Sequence, residues 1–375
     1  MVVKEIAAKS ILRKGKKIES WFLTSYGMNL YRGCAHNCVY CDGRTEKYQV
    51  DGEFGKDVVV KINAIDLLRK ELDPRRKRTP FKQGYVGIGG GVGDSYQPVE
   101  KKYKLCQKTL HLLHHFKFPV HVLTKSTLVE RDLEIIKKIN EQKRAIVSFS
   151  FSSTNDEISS VFEPGVLPPS ERLETLSKFK KEGMAIGMYL MPVIPFITDI
   201  PEILEETIRQ AKKTGIDFII FGGMTLKEGR QKDYFHNFLK DCYPNLLVDY
   251  HNLYKSDKYG SPRGDYYRSL NSLFNSIVKK YKIPKRIPPK LYYDIVSEND
   301  KIVVILEHLD YLLKSQGRKS PYSFAAYSIS QLKKPVRNLE FSLQGLRGVG
   351  PTTERIIQEI LRTGTSSYYQ KLLIN

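Results

Sequence analysis

Three cysteines, Cys34, Cys38 and Cys41, fall in the stretch Leu30-Tyr-Arg-Gly-Cys-Ala-His-Asn-Cys-Val-Tyr-Cys-Asp-Gly-Arg44. Their C-x3-C-x2-C spacing constrains the chain more than any other feature. Thiolates this close on one loop suit a soft metal or an iron–sulfur cluster. A four-iron cluster held by three cysteines keeps one iron open for a substrate or cofactor, as catalytic metal sites generally do. Zinc is the competing reading. A structural zinc needs a fourth protein ligand, and His36 lies between the cysteines. No second cysteine pair follows, because the remaining Cys106 and Cys242 are isolated. Five cysteines, three of them clustered, fit a reducing cytoplasm better than a disulfide framework.

Tyr40 immediately before the third cysteine makes the motif resemble the radical S-adenosylmethionine (SAM) superfamily. The flanking Met28-Asn-Leu-Tyr-Arg-Gly-Cys34 and the later Gly93-Asp-Ser-Tyr-Gln-Pro98 are similar, more narrowly, to the spore photoproduct lyase-related branch, the DNA repair photolyase-like proteins. The resemblance runs from about residue 20 to about residue 250. It implies a [4Fe–4S] cluster on Cys34, Cys38 and Cys41, SAM as cofactor, and an electron donor such as ferredoxin or flavodoxin.

Between the motif and residue 223 the pattern alternates. Strands are expected at Val58–Val60, Tyr85–Ile88, Val120–Leu123, Ala145–Phe151, Ala185–Met191 and Phe218–Phe221, with helical apolar spacing between them. Strands separated by helices argue for parallel βα units. The fold class is α/β. By resemblance it is a partial (βα)6 barrel, with its chemistry at the C-terminal strand ends. Residues 1–27 read as a basic lead-in, 73–80 as a basic loop, and Lys282-Ile-Pro-Lys-Arg-Ile-Pro-Pro-Lys290 as a linker.

The C-terminus carries Gly348-Val349-Gly350 before a helix opened by Pro351, the favoured first helical position. Such a turn presents backbone N–H groups to phosphate. Thr352, Thr353 and Arg355 are candidates for further contacts. The stretch resembles a helix-hairpin-helix and, with Ile302–Leu313 and Pro321–Tyr327, the small N-terminal domain of family X DNA polymerases. Ile356 stands where some members carry a lyase lysine. The expected domains are a radical SAM core over 1–297 and an all-α helix-hairpin-helix domain over 298–375. Removing the second is expected to spare cofactor binding.

The superfamily resemblance also implies a SAM pocket. Gly89, Gly90 and Gly91 would meet the methionine moiety, Tyr40 would lie near the adenine, and Ser150, Ser152, Lys125 and Arg172 are polar candidates. Gly91 replaces the usual acidic residue, and Asp94 lies nearby. Spore photoproduct lyase uses a further cysteine as hydrogen-atom donor, but residues 42–105 contain none. Cys106 and Tyr96 are the candidates left. The net charge of +20, from 61 basic against 41 acidic residues, favours a polyanionic partner. No apolar run is long enough to span a membrane. The sequence reads as a cytoplasmic radical SAM enzyme that repairs lesions in DNA. RNA (tRNA) modification is the alternative substrate class, and a DNA-binding protein with a structural or redox-sensing cluster is the alternative outside enzymology.

Overall fold

A computed structural model describes residues 2–48, 52–77, 79–82, 84–255 and 259–374. Arg78 of the basic loop and residues 256–258 lie outside the described residues. The central element is a seven-stranded sheet curled into a half-barrel. Its strands are β2 (Leu12–Glu19), β3 (Thr24–Met28), β6 (Val86–Ile88), β7 (Val120–Thr124), β8 (Ala145–Phe151), β9 (Ala185–Val193) and β10 (Phe218–Gly223). The order is β10-β9-β8-β7-β6-β3-β2. Six strands run parallel, and β2 closes the edge antiparallel to β3. A second sheet joins β1 (Val3–Ile6), β5 (Val58–Lys61) and β4 (Tyr31–Arg32) in the order β1-β5-β4.

The six-strand barrel is as expected, but its first strand is not. Val58–Lys61 belongs to the small sheet, and β3, inside the stretch read as a lead-in, starts the barrel. Thr24-Ser-Tyr-Gly-Met28 carries little strand signal of its own, and pairing with β6 defines it. The helical stretch between β6 and β7 is interrupted at Lys104, whose φ of 54° is left-handed.

The helices Ala64–Leu72 (α1), Leu105–His115 (α2), Leu133–Gln142 (α3), Pro169–Lys181 (α4), Pro201–Thr214 (α5) and Gly264–Tyr281 (α6) follow in chain order. The period of two along each strand divides the core. On β8, Val147, Phe149 and Phe151 join the apolar cluster that includes residues of α2 to α6. Ile146 faces the other way and joins Tyr85, Tyr189, Phe218 and Ile220.

That inner cluster is completed by the C-terminal segment. Ile287, Leu291 and Tyr292 join it, followed by α7 (Glu298–Lys314), α8 (Tyr322–Ser330), α9 (Pro351–Thr363) and α10 (Ser367–Ile374). Ser297 caps α7 by accepting from the Asp300 N–H. We propose two sequence modules, 1–297 and 298–375, that share one core. Ile302, Ile305, Leu309 and Leu312 of α7 are fully buried. No described helix is long and apolar enough to cross a membrane.

The shared core argues against the expectation that removing the second module spares cofactor binding. A chain ending at residue 297 uncovers the inner apolar face, with each large side chain left in water losing roughly 1.5–3 kcal/mol of burial. Calorimetry and size exclusion are expected to show loss of the cooperative melt together with aggregation. A sharp melt of the shortened chain would show that the half-barrel stands without α7.

Candidate active site

The cysteine loop leaves β4 and is pinned on every side. Buried Gln97 accepts from the Ala35 N–H at 3.0 Å and donates to the Gly33 carbonyl at 3.0 Å. Arg44 donates to Asn37 Oδ1 at 2.5 Å and reaches the Cys38 carbonyl at 3.4 Å. Gln231 donates to the Tyr40 carbonyl at 3.0 Å. These contacts turn a flexible polar loop into a fixed frame for the thiols.

The three cysteines line a cavity of about 600 Å³ at the C-terminal ends of the parallel strands. Its walls carry Gly90 and Gly91 after β6, Lys125 after β7, Ser150 of β8, Met191 and Pro192 of β9, and Gly222 and Gly223 of β10. Aromatic rings close the rest: Trp21, Phe22, Tyr40, Tyr189, Tyr267 and Tyr311.

The donor set fits an iron–sulfur cluster: three thiols from one short loop line one cavity, and thiolates are the ligands such clusters take. Backbone N–H groups of Asp94 and Gly43 point at Cys34 Sγ and Cys41 Sγ, each at 3.4 Å, as sulfur bearing negative charge requires. Burial pushes the Cys34 thiol up to about 12 and raises Cys38 and Cys41 as well. Thiols buried this way ionise beside added positive charge, which a bound metal would supply. His36 is buried, with Nδ1 3.5 Å from Asp94 and without a hydrogen-bond partner among the described residues. Burial lowers its pKa.

Behind the cavity wall lies a carboxylate that the sequence reading missed. Glu163 is fully buried and accepts from the Tyr40 hydroxyl, Lys125 Nζ at 2.9 Å, Ser159 at 3.0 Å, Arg172 at 2.8 Å and Ser152 at 3.3 Å. Burial raises its pKa, but Arg172, Lys125 and the Tyr40 bond outweigh this and hold it well below the usual carboxylate range. Glu163 follows the helix Asp156–Phe162 as its C-cap, and nothing in its local spacing marks it out.

This network sorts the candidates. Tyr40, Gly90, Gly91, Lys125 and Ser150 face the cavity. Ser152 and Arg172 do not, because both are turned to Glu163, and Arg172 also donates to the Ser150 carbonyl at 3.0 Å. Lys125 commits two of its three N–H donors, to Glu163 and to the Ser150 carbonyl at 3.2 Å. Gly89 lies one residue behind the wall. Its φ is 85°, and a Cβ there would sit 1.9 Å from the Leu123 carbonyl oxygen. Asp94 lines the cavity and accepts from Thr124 at 2.8 Å and from the Lys125 N–H at 2.6 Å.

Both hydrogen-donor candidates sit elsewhere. Cys106 is fully buried in the outer core, with its thiol 3.1 Å from the Ser95 carbonyl. Tyr96 is buried too, its hydroxyl donating to Asp132 at 3.0 Å. Helical spacing turned Cys106 inward, and the only thiols among the cavity-lining residues are those of the motif.

The glycine turn stands apart, beside a separate hollow lined by residues 344–353 and Pro321. Gly348 has φ 86°, and a Cβ there would meet the Ala325 backbone nitrogen at 2.5 Å. Thr352 and Arg355 are exposed. Val349 and Thr353 are buried with Ile356, so Thr353 corrects to a core residue.

Residues 28–205 match the radical SAM superfamily, and residues 297–366 match a helix-hairpin-helix domain. The chain carries a radical SAM domain followed by a helix-hairpin-helix domain. The radical SAM family uses a [4Fe–4S] cluster and SAM. An uncharacterized protein of Mycobacterium tuberculosis is 29% identical over 74% of this chain and 81% of its own length. An uncharacterized protein of Methanocaldococcus jannaschii is 27% identical over 68% and 86%. Spore photoproduct lyase complexed with dinucleoside spore photoproduct shares the fold, with a TM-score of 0.54 at 17% identity over 74% of this chain and 79% of that one. A mutant of that enzyme with bound AdoMet has a TM-score of 0.53 at the same coverage.

Two outcomes follow for the site. Alanine at Cys34, Cys38 or Cys41 is expected to abolish iron loading and its visible absorption while far-UV circular dichroism holds. Glu163→Gln leaves Lys125 and Arg172 without their anion, at a cost of about 3–5 kcal/mol in urea denaturation. Because the folded pKa of Glu163 is depressed below its ordinary 4.5, its contribution is fully present above that value. The difference between wild type and Glu163→Gln is therefore expected to shrink as pH falls below 4.5.

Proposed function

We propose that this protein is a radical SAM enzyme that acts on DNA, repairing lesions in the manner of spore photoproduct lyase. The observation that carries the reading is the wall shared between the two modules: Tyr311, on the first helix of the helix-hairpin-helix domain, lines the same cavity as the three cysteines. A domain type that grips nucleic-acid backbone is thus built into the reaction chamber.

Cys34, Cys38 and Cys41 would hold the cluster, and SAM would lie along Gly90, Gly91, Tyr40, Ser150 and the third N–H of Lys125. Bound together, these groups supply a 5′-deoxyadenosyl radical able to take a hydrogen atom from a substrate C–H bond. The chain positions and shields. The absence of a Cβ at Gly90 and Gly91 lets a ligand approach the backbone. Glu163 holds Tyr40 and Lys125 still. The rings of Trp21, Phe22, Tyr189, Tyr267 and Tyr311 give the chamber an apolar lining, which would shield a reactive carbon radical once substrate fills it. Affinity for DNA would come from phosphate contacts at Gly348–Gly350, Thr352 and Arg355, which carry no base information. Without a cavity thiol beyond the motif, the reaction would return a hydrogen atom by a route other than a cysteine donor.

Anaerobic turnover with dithionite and SAM tests the reading on three substrates: DNA containing spore photoproduct, undamaged gapped DNA, and tRNA. The expected result is 5′-deoxyadenosine with regenerated thymidine from the damaged DNA alone. Modified nucleosides from tRNA alone would move the enzyme to RNA. A loaded cluster without any SAM cleavage would make it a structural or redox-sensing group.

A further inference from the structure

Arg286 lies in the basic, proline-rich stretch that reads from sequence as a linker, yet it is only 1% exposed. Its guanidinium carbon sits 3.4 Å from the ring centroid of Tyr311 and 4.1 Å from that of Trp21. Nη1 reaches the Lys285 carbonyl at 3.4 Å, and Nη2 has no hydrogen-bond partner among the described residues. Burial lowers its pKa, and the groups opposing that are the hydroxyl-bearing rings of Tyr311, Tyr369 and Tyr189 rather than a carboxylate. A buried cation without an anion is unfavourable unless it does something that an apolar side chain of the same volume would not.

What it touches supplies the reason. Trp21 and Tyr311 pack edge to face, 5.3 Å between centroids, and both line the cavity. A planar, delocalised guanidinium can stack on aromatic faces, whereas an ammonium on a flexible stem cannot. The surrounding bonds tie the same pieces together. Tyr189 donates to the Trp21 carbonyl at 2.6 Å. His308 Nε2 donates to the Ser20 carbonyl at 3.0 Å, and its Nδ1 accepts from Tyr369 at 2.7 Å. The turn before β3, the 282–290 stretch, α7 and α10 therefore meet at one point.

We propose that Arg286 is a positioning residue: it clamps Trp21 and Tyr311 as the cavity wall against which a nucleic-acid substrate is set, so that the helix-hairpin-helix domain fixes the shape of the reaction chamber. The nature of the substrate rests on the reading given under Proposed function. The clamp itself does not.

Trp21 is the only tryptophan of the chain, so its fluorescence reports the clamp directly. Arg286→Met and Arg286→Lys are compared with wild type in the full-length chain, with a thermal melt as the control for folding. Methionine removes a buried charge at similar volume, so Arg286→Met is expected to melt close to wild type. Acrylamide quenching of Trp21 is expected to rise about threefold in Arg286→Met as the stack is lost. In the loaded enzyme, KM for lesion DNA is expected to rise about tenfold, with a smaller fall in kcat. Arg286→Lys keeps the charge and is expected to recover part of both. Unchanged quenching in both variants, or raised quenching with unchanged KM, overturns the proposal. If no DNA is turned over at all, the substrate reading fails, and the quenching alone then decides the clamp.

Discussion

The buried carboxylate of Glu163 holds the strand ends together. Its partners come from the cysteine loop (Tyr40), the end of β7 (Lys125), the segment after β8 (Ser152) and α4 (Arg172). A lone carboxylate at that depth would be untenable, and so would Arg172, which is fully buried beside it. Each supplies the other's counter-charge in a low-dielectric setting, and added hydrogen bonds occupy the remaining lone pairs. The consequence for the cavity is geometric. Lys125 is steered so that one donor remains for a ligand, and the Tyr40 ring is fixed beside the cysteines. The polar part of the site is organised from behind, while its inner surface stays largely aromatic.

What the sequence revealed follows from how local each signal is. The cysteine spacing, the alternation of strands and helices, and the Gly-Val-Gly turn before Pro351 are short-range patterns. The half-barrel, the cysteine-lined cavity and the left-handed turn at Gly348 before the helix of Pro351 agree with them. The misses are long-range. Glu163 acquires its role from Tyr40, 123 residues away in the chain. Strand β3 exists because β6 pairs with it, and its own composition gives no hint of this. Arg172 carried a functional label on the strength of its charge, but burial against Glu163 makes it a support. Cys106 is a donor candidate by residue type alone, and its helix buries it in the outer core.

The reading of 282–290 as a linker failed for a physical reason. Proline and basic residues are enriched in exposed connections, and that composition is what the stretch displays. Yet Ile283, Lys285, Arg286 and Ile287 are all buried, with Lys285 donating to Asn275 at 3.0 Å. Composition reports what a segment can tolerate, whereas the packing partners decide where it goes. Here the partners include the inner face of the half-barrel, through Tyr189, Phe218 and Ile220, which lies far back in the chain, and α7, which follows close behind.

The placement of charge bears on how such a chamber could handle a polyanion. Radical chemistry is best served by a dry, aromatic enclosure, and the cavity walls largely meet that need. Nucleic-acid affinity demands the opposite, since it rises with each phosphate neutralised. In the fold the aromatic cavity and the glycine turn have different lining residues, and one apolar core runs between the half-barrel and the C-terminal helices. The cations of the cavity region, Lys125 and Arg172, are tied to Glu163. The exposed Thr352 and Arg355 stand by the glycine turn, beside a hollow of its own. Arg286 is buried against Trp21 and Tyr311 of the cavity wall, with no ion-pair partner among the described residues. A cation kept against one ring from each module, Trp21 and Tyr311, is understandable if it holds those two rings in their edge-to-face arrangement.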